Sequence, residues 1–121
     1  MAEVEITPTA LVVHIRGADQ FFALQSRLEV PLVHVASVEV NPEEAHGIWH
    51  GLRMGGTNLP GLITAGRFLN HGQWAFWDVR SPEKSIAIRL HDEGYATLLI
   101  GVDDPESTAI AIESAISGIS P

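Results

Sequence analysis

Apolar and polar residues alternate with a period of two along several short stretches of this chain, and with a helical period at its end. Glu3–Thr7 (EVEIT) sets Val4 and Ile6 against charged neighbours, the pattern of a strand with one wet face. Ala10–Arg16 (ALVVHIR) is a β-branched run that Gly17 ends. Between Ala18 and Arg27, Gly17 and Asp19 mark an entry and Phe21, Leu24 and Leu28 recur at helical spacing, which predicts a short helix. Val30 precedes Pro31 and is pushed out of the α region, so the chain restarts extended. Leu32–Val40 (LVHVASVEV) predicts one strand, with Val33, Val35, Ser37 and Glu39 on one face and Leu32, His34, Ala36, Val38 and Val40 on the other. Asn41-Pro42-Glu43-Glu44 reads as a helix start with Asn41 as its cap, and Gly47 and Gly51 keep that helix short.

His50–Pro60 (HGLRMGGTNLP) reads as a loop. Leu62–Leu69 predicts a strand with Ile63, Ala65 and Arg67 on one face and Leu62, Thr64, Gly66 and Phe68 on the other. Asn70-His71-Gly72-Gln73 is a turn in which Gly72 supplies the positive φ, and Trp74–Arg80 returns antiparallel. Gly66 inside a strand predicts a bulge or close backbone approach that a ring, Phe76 or Trp77, would cover. Two further strands follow, Ser85–His91 and Tyr95–Val102, separated by Asp92-Glu93-Gly94. Asp104 as N-cap and Pro105 in the first turn open a helix to about Ser117, where Gly118 stops it. Ala109, Ile112, Ala115, Ile116 and Ile119 form its apolar stripe. The order is strands, an antiparallel meander and one closing helix. It disfavours a parallel βαβ sheet and predicts a curved sheet or small barrel capped by that helix. Residues 1–121 make one domain.

Composition narrows the function classes. The absence of cysteine excludes disulfides, thiolate catalysis and cysteine zinc sites. Seven basic residues stand against fifteen acidic ones, for a net charge of −8, which argues against nucleic acid and against an anionic membrane surface as partners. Arg53, Arg67, Arg80, Lys84 and Arg89 nevertheless fall between residues 53 and 89 and leave room for a local basic face. Met1–Thr9 has no apolar signal core, and no apolar run approaches the roughly 20 residues of a spanning helix, so a cytoplasmic location is expected.

Candidate chemistry is sparse. His46 and His50 share a helical face at i and i+4, with His34, Glu43 and His71 as conceivable further ligands. The glutamate of an H-E-x-x-H zinc helix is missing, so neither metal nor cofactor is expected. Asp103-Asp104 precedes a proline and a helical stripe, the place of a cap and not of a catalytic pair. Gly55-Gly56-Thr57-Asn58 lacks the lysine of a phosphate loop, and no G-x-S-x-G occurs, so no catalytic residue is assigned. Asp78 is expected to face solvent or to meet Arg67 or Arg89 across the sheet. Trp49, Trp74 and Trp77 suit an interface, since tryptophan is enriched at binding hot spots. Trp74 and Trp77 have opposite parity, so one should face the core and the other outward. The candidate contact set is Arg53, Arg67, Trp74 and Trp77.

The string GTNLPGLITAGRF, a glycine turn, WAFWDVR, SIAIRL, then TLLIGVDDPE and a helix, preceded by VPLVHVASVEV, resembles the bacterial pleckstrin-homology-like (PH-like) domains over nearly the whole chain. The resemblance implies a PH-like antiparallel sandwich or partly open barrel of about seven strands, closed by the C-terminal helix. It also implies an interaction or scaffolding role, and oligomer formation as in some relatives. Relatives that bind phosphoinositides use a basic loop between their first two strands; ITPTALVV here has no basic residue, so that ligand is not carried over. The expected function is a non-enzymatic interaction module whose partner is a protein or a second copy. A small-molecule or lipid-binding barrel with the glycine-rich stretch at its mouth is the alternative.

Overall fold

A computed structural model describes residues 2–17, 26–46, 52–59, 63–70 and 72–119. Among them are nine strands, in two sheets, and one α-helix. The smaller sheet has the order β1-β2-β3, formed by β1 (Ala2–Ile6), β2 (Ala10–Ile15) and β3 (Arg27–Pro31). Thr7 turns β1 into β2: its hydroxyl accepts the Ala10 N–H at 2.9 Å, and its own N–H donates to the Ala10 carbonyl at 2.9 Å. The larger sheet contains β4 (Val35–Val40), β5 (Leu52–Leu59), β6 (Ile63–Asn70), β7 (Gln73–Val79), β8 (Ser85–Leu90) and β9 (Thr97–Gly101). Its spatial order is β4-β8-β9-β7-β6-β5.

The two sheets face each other across the main core, and they do not close into a barrel among the described residues. Leu11, Val13, Ile15 and Val30 come from the small sheet; Ala65, Phe76, Ile86, Ile88, Leu98 and Ile100 come from the large one. Each fully buried aliphatic or phenyl side chain in that layer contributes about 1.5–3 kcal/mol relative to exposure. The helix α1 (Pro105–Ile119) packs against β4 and closes that end, sending Ile112 into the core at 0% exposure. The Asp104 carboxylate caps it by accepting the Ser107 N–H at 3.1 Å. Ala109 is buried, and Ala115 and Ile116 are half-buried against the core, as the apolar stripe requires.

Several elements differ from the sequence expectation. Within the stretch expected as loop, residues 52–59 form a strand that pairs antiparallel with β6 from Leu52↔Leu69 to Leu59↔Ile63. A register shift between Arg53 and Gly56 absorbs the glycine pair that had suggested irregular chain. Leu32–His34 is a 3-10 turn, and the strand begins only at Val35. A bulge between Val35 and Ser37 then turns Val38 and Val40 to the core beside Val35, breaking the simple alternation. Asn41 sits at φ +53, outside N-cap geometry, and among the described residues a 3-10 turn (Glu43–His46) follows it. Arg27–Pro31 is an edge strand with its proline at the end, where no ladder donor is lost. Gly118 lies within the helix and does not terminate it. The meander is also interrupted: β9 pairs antiparallel with β8 and parallel with β7, so it lies between two strands that precede it. The helix expected over Ala18–Arg27 falls mostly outside the described residues.

Candidate functional site

The hairpin β6–β7 positions the candidate side chains. Its register pairs Arg67 with Phe76, Leu69 with Trp74, Gly66 with Trp77 and Ala65 with Asp78. Strand alternation therefore sets Ala65, Arg67, Leu69, Trp74, Phe76 and Asp78 on one face, and Phe68, Ala75, Trp77 and Val79 on the other. The first face is the one turned to the main core, since Ala65 and Phe76 belong to it.

Cover on that face runs out along the hairpin. Asp78, Ala65 and Phe76 are fully buried, Trp74 and Leu69 are half-buried, and Arg67 is exposed. At this rim the Arg67 guanidinium carbon lies 5.6 Å from the Trp74 ring centroid, a cation–π arrangement. Tyr95 joins from the chain before β9, its ring edge-on to Phe76 at 5.9 Å between centroids. Burial raises the Tyr95 phenol above its usual pKa, and the Arg67 charge pulls it back, so the two side chains share one electrostatic environment.

The other face is covered as well. Phe68, Trp77, Val79, Ala87 and Leu99 form a second buried cluster with Ala45 from the Glu43–His46 turn. Trp77 is only 3% exposed and meets Phe68 edge-on at 5.8 Å. Opposite parity of the two tryptophans holds, but Trp74, on the main-core side, is half-buried at the rim, and Trp77, on the opposite face, is the more deeply buried. Arg67 and Trp74 are brought together; Trp77 lies across the sheet from them. Arg53 is placed by its backbone on β5, in register with Phe68. Gly66 has φ +119, a backbone conformation that favours glycine, and stands in register with Trp77.

Asp78 corrects its expectation. It is fully buried on the core-facing side, in register with Ala65 and Ile100, and does not face solvent. Burial raises its carboxyl pKa against the pull of nearby positive charge, Arg80 included.

Most other charged side chains described serve as staples. Arg16 donates to Glu3 at 2.7 Å, Arg27 pairs with Glu29 at 2.9 Å, and Arg89 donates to Glu39 at 2.9 Å. His34 Nδ1 lies 2.5 Å from Glu93 Oε2, with the His91 ring edge-on to His34 at 5.8 Å, which ties the 32–34 turn to the β8–β9 connection. No group of three or more potential metal ligands occurs among the described residues; His50 and His71 lie outside them. Among the described residues no helix is long and apolar enough to cross a membrane.

Sequence reasoning missed Tyr95 as a member of this rim. A lone tyrosine at a strand start carries no periodic signal, and only the placement of β9 beside β7 brings it to Phe76. No family model, curated protein or solved structure matches this chain.

Proposed function

We propose that this chain is a non-enzymatic, cytoplasmic interaction module of the PH-like kind that associates with a protein partner or a second copy by strand addition at the outer edge of β5. One observation carries this reading: the contrast between β5 and the other sheet edges. β1 carries Glu3 and Glu5, each engaged by a neighbour on β2 or just after it. β3 carries Arg27, Glu29 and Pro31. β4 has a bulge and α1 packed against it. Charge, proline, bulges and covering helices are the devices that keep an edge from pairing with another chain. β5 ends the six-strand order, is eight residues long and carries one charge in LRMGGTNL; its own register shift lies between Arg53 and Gly56, and its pairing with β6 is regular from Gly56 to Leu59. Such an edge offers a ladder of backbone donors and acceptors to an incoming strand.

Static light scattering over a concentration series tests self-association. The expected result is a mass that rises with concentration in the wild type and stays at the monomer value in Asn58→Lys, with an unchanged circular dichroism spectrum. A wild-type monomer at every concentration would remove self-association from the reading.

A further inference from the structure

We propose that the Arg67–Trp74–Tyr95 rim is a carboxylate-reading subsite that engages an acidic, extended segment of a protein partner. The inference rests on the interaction-module reading and adds the chemistry of the partner.

Arg67 stands apart from the other arginines whose surroundings are described. Arg16, Arg27 and Arg89 each hold a glutamate. Arg67 is exposed, and among the described residues it makes no ion pair; it lies over the Trp74 ring. A cation–π contact with an indole does not consume the guanidinium's N–H donors, so its fork stays available to a planar bidentate acceptor such as a carboxylate. The aromatic shelf also limits the rotamer entropy that an exposed arginine loses when it binds.

The surroundings fit an anionic ligand as well. The one carboxylate on this face of the hairpin, Asp78, is fully buried and two strand positions beyond Phe76, away from the exposed rim. Tyr95 is half-buried beside Phe76 and presents a phenol that can donate a hydrogen bond. A protein of net charge −8 repels acidic partners over most of its surface, so an exposed arginine on an aromatic shelf is where an acidic segment gains most. The subsite adjoins β5 through β6, and a strand added to β5 extends the same sheet face on which Arg67 stands.

The test is a titration with an acetylated oligoglutamate peptide, with oligolysine of the same length as control, followed by tryptophan fluorescence and by the phenolate absorbance of the single tyrosine. Oligoglutamate should change the fluorescence saturably, and oligolysine should not. Arg67→Ala should weaken binding about tenfold or more, the loss expected for a charge-assisted bidentate contact. Arg67→Lys should fall between, keeping the charge and losing the fork. Trp74→Leu should weaken binding with no change of charge. Arg16→Ala, which removes an arginine already held by Glu3, should leave affinity within about twofold of wild type. Bound peptide should move the Tyr95 titration to higher pH in the wild type, because it offsets the Arg67 charge, and should not move it in Arg67→Ala. Equal weakening by Arg16→Ala and Arg67→Ala, or no saturable binding to the folded wild type, would overturn the proposal. Light scattering of the same samples keeps the two readings apart. Loss of peptide binding in Arg67→Ala supports the subsite whether or not the protein self-associates, and a monomeric wild type that binds the peptide overturns only self-association.

Discussion

Trp74 and Trp77 show how far a residue can be read from its neighbours. Their separation by three positions placed them on opposite faces, and the structure agrees. What local spacing could not convey is which face is covered, because cover comes from residues distant in sequence: Ala45, Phe68, Ala87 and Leu99 bury Trp77. The two rings should therefore respond differently to truncation. Trp77→Ala is expected to destabilise by about 3–5 kcal/mol in urea unfolding, the range for emptying a buried aromatic site. Trp74→Ala should cost less than Trp77→Ala, since that ring is only partly buried. Asp78 makes the same point with charge. Its strand position suggested a solvated carboxylate, yet register sets it between Ala65 and Ile100 on the core side. Burial raises its folded pKa above the ordinary value, so the folded state holds the proton more tightly than the unfolded chain. The stabilising contribution is then fully present below the ordinary carboxylate pKa and is lost as pH rises through the raised one. Asp78→Asn, which cannot ionise, should gain in melting temperature relative to wild type at neutral pH, and the gain should shrink as pH falls to the ordinary carboxylate range. A gap that widens on acidification would mean that the nearby positive charge outweighs burial.

At the scale of elements, strong local chemistry was legible and weak local chemistry was not. The start of α1 carries its own instructions in Asp104 and Pro105, and it forms as they specify. Removing the cap by Asp104→Ala should cost about 1 kcal/mol, measured by urea unfolding with helicity followed by circular dichroism. The Gly72 turn likewise has its positive φ, +77. β5 lacks such signals. Gly55 and Gly56 have no side chain to alternate, and the stretch becomes a strand only by pairing with β6, which is itself anchored by Phe68 and Ala65. Gly66 is the residue on which that three-strand packing turns. At φ +119 it occupies a conformation that a β-carbon strains, so Gly66→Ala should destabilise by about 1–3 kcal/mol in the same assay. The bulge at Val35/Ser37 has no local signal for a related reason: alternation predicts faces only while pairing stays in step.

For the whole molecule, fold class followed from the count of short β-like runs and one terminal stripe, and the mainly β architecture with a capping helix is what forms. The order of strands did not follow. Nothing local in TLLIG marks it as the partner of both β7 and β8; that choice is made by the packing of Leu98 and Ile100 between sheets. Among the described strands, β9 is consequently the link within the large sheet between β4-β8 and β7-β6-β5. A strand admitted between two neighbours cannot be laid down by adding hairpins one after another. The β6–β7 and β8–β9 hairpins can each form from adjacent chain, but the sheet becomes continuous only when they dock side by side, a non-local step that carries the larger loop-closure cost. Folding speed should then depend on the β7–β9 seam more than on either turn. Leu98→Ala should slow refolding as well as hasten unfolding in a stopped-flow chevron, whereas Asp104→Ala at the helix cap should act mainly on the unfolding arm.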